Sequence, residues 1–254
     1  MAVSVKTKRE IERMRESNHR LEKVFDAMEK MIRPGISTWE IDQAARRLIA
    51  EQGGIPNFLD YEGYPAAVCT SVNEEVVHGI PKKERILQGG DIISLDCGLI
   101  LEGYHSDAAR TYAVGRISER EQKLMEVTKQ SFFEGIRYAR QGYRVSDISA
   151  GVQTYAEANG YSVVRDYVGH GVGAKMHEDP EVPNYVQHGR GSPRLLKGMT
   201  IAVEPMVNAG GWEIKVLPDG WTVLTADGSL SAHYENSILI TDGEPEILTM
   251  SDDL

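Results

Sequence analysis

Three hydroxyl residues each stand three positions ahead of a glutamate: Thr7 before Glu10, Ser37 before Glu40, and Ser118 before Glu121. In such a pair the hydroxyl accepts a backbone N–H of the first helical turn while the glutamate folds back on the cap, so each pair marks where a helix must begin. Behind Thr7, apolar residues recur at helical spacing at Ile11, Met14, Leu21, Val24, Phe25, Met28, Met31 and Ile32, and Pro34-Gly35 stops the run. Behind Ser37 follow Ile41, Ala44, Ala45, Leu48 and Ile49, closed by Gly53-Gly54. Residues 65–72, 91–97 and 103–114 then read as strands, the last two joined as a hairpin. The order is replayed from Ser118: a helix with Leu124, Val127, Phe132, Ile136 and Ala139 ends at Gln141-Gly142, and a shorter one runs from Ser146 to about Asn159-Gly160. Strands are expected at 161–168, 199–207, 221–225 and 233–241. Arg33-Pro34-Gly35 and Arg140-Gln141-Gly142 correspond at an offset of 107, although the residue-level match is faint.

Two helices then strands, given twice, predict an α+β chain of two similar halves, about 1–115 and 116–254, with a mostly antiparallel sheet backed by helices rather than alternating βαβ units. At 254 residues and 41% hydrophobic content, one domain has ample material for a core. Charge excludes some partners: 28 Lys and Arg against 38 Asp and Glu leave a net charge of -10 with no basic run to track a phosphate backbone, so DNA is not expected. The opening MAVSVKTKRE lacks the apolar stretch of a secretion signal, and no apolar run reaches the roughly 20 residues of a membrane helix, so a cytoplasmic protein free of membrane is expected. Cys69 and Cys97 are the only cysteines, which leaves no disulfide framework and assigns any metal to histidine and carboxylates.

Acids occur where strands should be apolar. Asp96 ends the run IISLD, Glu204 interrupts IAVEPMV, Asp107 lies within GYHSDAA, and Glu235 precedes another apolar run. A lone buried carboxylate is costly, so each must be paired, capped or metal-bound. Singly, a strand-end salt bridge or cap explains any of them. As a set they say more, because the offset of 107 carries Asp96 to within one residue of Glu204, and each half adds one further acid on a later strand. Two halves facing each other would gather four carboxylates, an arrangement that repels itself unless a divalent cation holds it. His170, in the stretch GHGVGAKMHEDP, can supply a nitrogen; four carboxylates and one imidazole suit two divalent ions, with Mn, Fe, Co or Zn favoured over Mg. The glycines around His170 do not follow G-x-G-x-x-G and open no helix, so they read as a tight turn beside a ligand rather than a dinucleotide site.

Five ordered blocks carry a resemblance over nearly the whole chain: CTSVNEEVVHGIP from Cys69, DIISLDCGLILEGYHSDAARTYAVG from Asp91, VGHGVGAKMHEDP from Val168, MTIAVEPMV from Met199 and DGWTVLTADGSLSAHYEN from Asp219. In these the chain resembles the type I methionine aminopeptidases, which have the pita-bread fold with a metal site between two pseudo-symmetric halves. The resemblance implies a single catalytic domain over 1–254, and implies Asp96, Asp107, His170, Glu204 and Glu235 as ligands of two metal ions, Asp107 and Glu235 bridging. It also implies that His177 hydrogen-bonds the substrate near the scissile peptide and that His78 reaches the substrate backbone. From the residues alone, His78 would be a surface-turn histidine.

The activity implied is removal of N-terminal methionine from nascent proteins and peptides with a small second residue, by attack of a metal-bridging hydroxide, with Glu204 passing a proton to the leaving amine. An apolar slot for the thioether would be lined by Tyr61, Tyr64, Cys69, Trp221, Phe58 and Met176, although ordinary core packing also accounts for Phe58 and Met176. Where the family pattern has Glu-His-Thr, this chain has Glu235-Asn236-Ser237, which alters the packing behind a ligand. The implied partner is a peptide or nascent-chain N-terminus, with a monomeric enzyme and ribosome association left open. Two alternatives stand beside this reading: an Xaa-Pro aminopeptidase or prolidase of the same fold, and a non-catalytic binding protein on that fold. Met1-Ala2 makes the chain a candidate substrate of its own activity.

Overall fold

The computed structural model describes residues 3–187, 189 and 191–250; Met1-Ala2, singled out above, lies outside them. Four helices follow the expected starts. Helix α1 spans Lys8–Glu29 and α2 spans Thr38–Glu51, with both capping boxes formed at Thr7 and Ser37. Helix α3, Glu119–Ile136, is capped in the same way at Ser118. Helix α4, Val145–Ala158, begins one residue earlier than Ser146 suggested, because the Asp147 carboxylate accepts the backbone N–H of Arg144 and turns that residue into the cap.

The strands are antiparallel throughout the main sheet. Its order runs Ile55–Pro56, Ile92–Leu101, Tyr104–Ala113, Glu235–Leu239, Thr200–Val203, Gly169–Gly171 and Glu178–Val182, with Val68–Val72 paired to Ile92–Leu101 and Glu246–Ile247 paired to Glu235–Leu239. The Tyr104–Ala113 strand pairs directly with Glu235–Leu239. That seam joins segments distant in the chain, and the Ser237 hydroxyl bonds the Asp107 carbonyl across it at 2.9 Å.

Two long expected strands are broken. Residues 199–207 form Thr200–Val203 and Met206–Asn208, and residues 233–241 divide between Ser231–His233 and Glu235–Leu239. Pro205 offers no N–H for a ladder, so the chain leaves the main sheet there and builds a second, three-stranded sheet from Met206–Asn208, Ser231–His233 and Ser162–Val163. Of residues 161–168 only Ser162–Val163 is strand. The strands Glu75–Val77 and Ile214–Val216 are too short, and Glu178–Val182 too polar, to be foreseen from an apolar pattern.

The expected tight turn at GHGVG is also corrected, since Gly169–Gly171 is a strand between Thr200–Val203 and Glu178–Val182. Its glycines serve close approach of neighbouring backbone. A Cβ on Gly169 would lie 2.3 Å from the Ala202 carbonyl oxygen, and one on Gly171 would lie 2.4 Å from that of Asp179.

Two large apolar clusters back the sheet. One holds Leu21, Phe25, Ile41, Ile49, Leu95 and Leu99, with α1 and α2; the other holds Leu124, Phe132, Ile148, Val152, Ile201 and Ile238, with α3 and α4. Apart from Ile92, the buried members of the second cluster all follow residue 115 and those of the first precede it.

Gly169→Ala should lower the folding free energy by about 1–3 kcal/mol, because the methyl meets backbone rather than a movable side chain. Urea denaturation of the purified protein measures this, and an unchanged midpoint would mean the strands are not so closely apposed.

Candidate active site

Strand alternation puts the acids on one face. Side chains two apart along a strand, and those directly paired across an antiparallel ladder, point the same way. Asp96 pairs with Ala109, which in turn pairs with Glu235; Asp107 is two residues from Ala109. Asn236 pairs with Val203, so the same register continued by one step sets Glu204 beside Glu235. Gly171 pairs with Ile201, which sets His170 level with Ala202, two residues from Glu204. Ala109 and Ala202, both fully buried, leave the space above them to the longer side chains.

The polar atoms converge accordingly. Ligand atoms of Asp107, His170 and Glu235 all lie within 4.8 Å of one another. His170 Nε2 is 3.7 Å from Asp107 Oδ2 and 3.8 Å from Glu204 Oε1. Its Nδ1 sits 2.8 Å from the Gly171 carbonyl oxygen, an arrangement that places the proton on Nδ1 and the free lone pair on Nε2, facing the acids. Asp96 Oδ1, Asp107 Oδ1 and Glu235 Oε1 are buried with no hydrogen-bond partner, which is the observation that a cation would explain.

Electrostatics point the same way. Burial pushes the Asp96 carboxyl up to about 7, and raises Asp107, Glu204 and Glu235 well above the carboxylate range, with their mutual repulsion adding to it. Burial lowers His170 to about 3, so the imidazole is neutral and able to donate its lone pair. The residues present therefore fit a divalent metal: hard carboxylate oxygens with one imidazole, crowded beyond what protons alone hold comfortably.

Above the acids lies a cavity of about 260 Å³, lined by every side chain singled out in the sequence for metal, catalysis or substrate: Asp96, Asp107, His170, Glu204, Glu235, His78, His177, Phe58, Tyr61, Tyr64, Cys69, Met176 and Trp221. One wall is apolar, where Phe58, Tyr64, Ala66, Cys69 and Met176 cluster with Tyr61, Ile80 and Trp221. The Tyr64 hydroxyl donates to the Gly79 carbonyl at 2.9 Å, and its ring meets Trp221 edge-on at 5.1 Å. Phe58 and Met176 are thus both pocket wall and core.

The two histidines of the glycine-rich stretch part company here. His170 faces the acids, whereas exposed His177 packs edge-on against it at 4.3 Å and has its Nδ1 2.8 Å from the Tyr61 hydroxyl. His78 adopts a left-handed backbone, φ 59°, and its ring is set edge-on against Tyr167 and Trp221. Burial lowers it to about 4, and lowers His177 as well.

Sequence reasoning missed Glu62, Val77, Tyr167, Val168 and Met206, which also line the cavity, and His233, whose Nε2 stands 4.0 Å from Glu204 Oε2. Tyr167 and Val168 directly precede the GHGVG stretch, the one signal that could have found them. Asn236, the departure noted above, faces away from the acids: its Oδ1 accepts from Arg110 at 2.6 Å and from Thr249 at 2.9 Å.

A family model described as metallopeptidase family M24 matches residues 12–242, and the chain belongs to that family. A methionine aminopeptidase of Clostridium acetobutylicum is 53% identical over 248 residues, covering 98% of this chain and 99% of that protein. The crystal structure of methionine aminopeptidase from Rickettsia prowazekii superposes with a TM-score of 0.95 at 37% identity, over 98% of this chain and 100% of that one. Within the M24 family this chain therefore falls among the methionine aminopeptidases, with their α+β pita-bread fold. An Xaa-Pro dipeptidase from Bacillus anthracis shares the fold, with a TM-score of 0.78, but at 24% identity and with only 63% of its length covered.

Raised carboxyl pKa values mean that the metal-free folded protein holds protons the unfolded chain has released. The stability these protons contribute is therefore lost as pH rises from the ordinary carboxylate value of about 4, through about 7 for Asp96 and further for the other three acids. Thermal melts of metal-free protein should fall by several degrees between pH 5 and pH 8, at roughly 2–4 °C per kcal/mol. Added Mn should close most of that gap; identical melts with and without metal at pH 8 would count against a metal centre.

Proposed function

We propose that this protein is an aminopeptidase that removes N-terminal methionine from peptides and nascent proteins whose second residue is small. The observation that carries the reading is the cavity itself, with partnerless buried carboxylate oxygens on its floor and an aromatic, sulfur-bearing wall beside them. Asp96, Asp107, His170, Glu204 and Glu235 would hold two divalent ions from the Mn, Fe, Co and Zn group. Bound there, the ions would lower the pKa of a nucleophilic water and polarise the scissile carbonyl.

The chain's own residues do the rest. Tyr61, Tyr64, Cys69, Trp221, Phe58 and Met176 take the methionine side chain, thioether against sulfur and ring edges, so that the first peptide bond lies over the acids. Glu204 accepts the proton of the attacking water and delivers it to the leaving amine. His78, whose pKa burial lowers to about 4, and His177, shifted in the same direction, each have an N–H to donate to the peptide as negative charge grows on its carbonyl oxygen. Contact of Tyr61 with His177 Nδ1 leaves Nε2 free for that role.

An Xaa-Pro hydrolase is the weaker reading, since resemblance to those enzymes is confined to the fold. A binding protein without catalysis is weaker still, because no member of the acid and histidine set is missing. No helix among the described residues is long and apolar enough to cross a membrane. A cytoplasmic monomer acting on chain N-termini, at the ribosome or after release, completes the proposal.

Metal-stripped protein should be inactive on Met-Ala-Ser and recover with Co or Mn, while Glu204→Ala stays inactive under both. Met-Leu and acetyl-Met peptides should resist cleavage; rapid release from Xaa-Pro dipeptides instead would favour the other reading. His177→Ala should reduce kcat by about 10² or more with KM within about threefold, as expected for a donor used mainly in the transition state. A change confined to KM would remove His177 from that step.

A further inference from the structure

His233 is buried to 1% exposure, yet neither of its ring nitrogens has a hydrogen-bond partner. Its backbone is clamped: its N–H donates to Thr111 Oγ1 at 3.0 Å, and the same hydroxyl donates back to its carbonyl at 2.8 Å. Ser94 Oγ, 2.8 Å from Thr111 Oγ1, fixes that hydroxyl in turn. On its other side His233 pairs with fully buried Met206, which lines the cavity. The ring cannot drift far, and the polar atom facing its Nε2 is Glu204 Oε2 at 4.0 Å, about 1 Å beyond a hydrogen bond.

A buried imidazole with two unsatisfied nitrogens costs more than an apolar side chain of the same size, so packing does not explain it. Glu204 lies between the Thr200–Val203 and Met206–Asn208 strands, immediately before Pro205, and belongs to neither. Its Oε1 faces His170. Left alone, its second oxygen would be free to rotate.

We infer that His233 is a positioning residue for Glu204: its Nε2–H closes onto Oε2, orients the carboxylate, and leaves Oε1 directed at the metal-holding face. An imidazole with one N–H, aimed at Glu204 Oε2, carries that proton on Nε2. The inference rests on the role proposed above for Glu204, and adds a residue that the acid pattern did not reveal. A glutamate fixed in this way binds its ion more tightly and starts each proton transfer from one geometry; outer partners of this kind are typically worth 10–100-fold.

The test compares the wild type with His233→Gln, which keeps an amide donor, and with His233→Leu and His233→Met, which keep bulk without one. Mn binding by calorimetry and kcat and KM on Met-Ala-Ser are measured for each, with the metal-free melting temperature as a check on folding. The apolar variants should bind Mn about tenfold or more weakly and lose about tenfold in kcat at saturating metal with little change in KM, while His233→Gln recovers most of both. Apolar variants equal to a wild type that binds Mn and cleaves the peptide overturn the role of His233 alone. So does a Gln variant as impaired as the apolar ones, and if the apolar variants do not fold, that variant against the wild type decides. A wild type that neither binds Mn nor cleaves overturns the functional reading and this inference together.

Discussion

Four carboxylates gathered on one face of a sheet at the floor of a cavity, two buried and two nearly so, are the constraint around which this structure is organised. Charged, they would repel one another and forfeit their hydration; neutral, they would leave partnerless oxygens in the interior. Much else follows from accommodating them. Ala109 and Ala202 keep the floor low, and the neutral His170 ring is turned by the Gly171 carbonyl to show its lone pair. Behind the sheet Arg110 stacks on Tyr234 at 4.7 Å and bonds the Glu235 carbonyl and Asn236, so the backbone that carries one acid is fastened from the far side.

Much of this was legible in the sequence, for identifiable reasons. Capping boxes at Thr7, Ser37 and Ser118 are local chemistry, readable within four residues, and all three form. Asp96 and Glu204 announced themselves by interrupting apolar runs, since a charge there has no cheap alternative to a partner. What stayed hidden depends on contacts between distant segments. The breaks at Pro205 and Tyr234 move strands into a second sheet; the proline marks the first, but no pattern within residues 233–241 marks the second. His233 was missed for the same reason, because only tertiary structure shows that it lacks partners and faces Glu204. The glycines around His170 were visible but their purpose was not: neither Gly169 nor Gly171 has a positive φ, and each is needed because a neighbouring carbonyl passes too close for a Cβ.

The apolar wall illustrates how fold and specificity share material. Phe58, Tyr64, Cys69 and Met176 are buried and packed on one another like any core cluster, yet their exposed edges form one side of the cavity. A methionine side chain lodged there would extend that small core by one more thioether. The Xaa-Pro dipeptidase at 24% identity shares the scaffold, so backbone fold and side-chain choice are separable layers here.

Pairing of Tyr104–Ala113 with Glu235–Leu239 has a consequence for the life of the chain. The contact between Asp107 and Ser237 spans 130 residues, and the strand that carries Glu235 lies near the end of the described chain. A polypeptide still being synthesised can form α1, α2 and their strands, but it holds only part of the acid set until that late strand arrives and closes the sheet. Assembly of the acid set is thus withheld by topology: a half-made copy carries an incomplete cluster, and a complete one certifies that the seam between these two strands has closed.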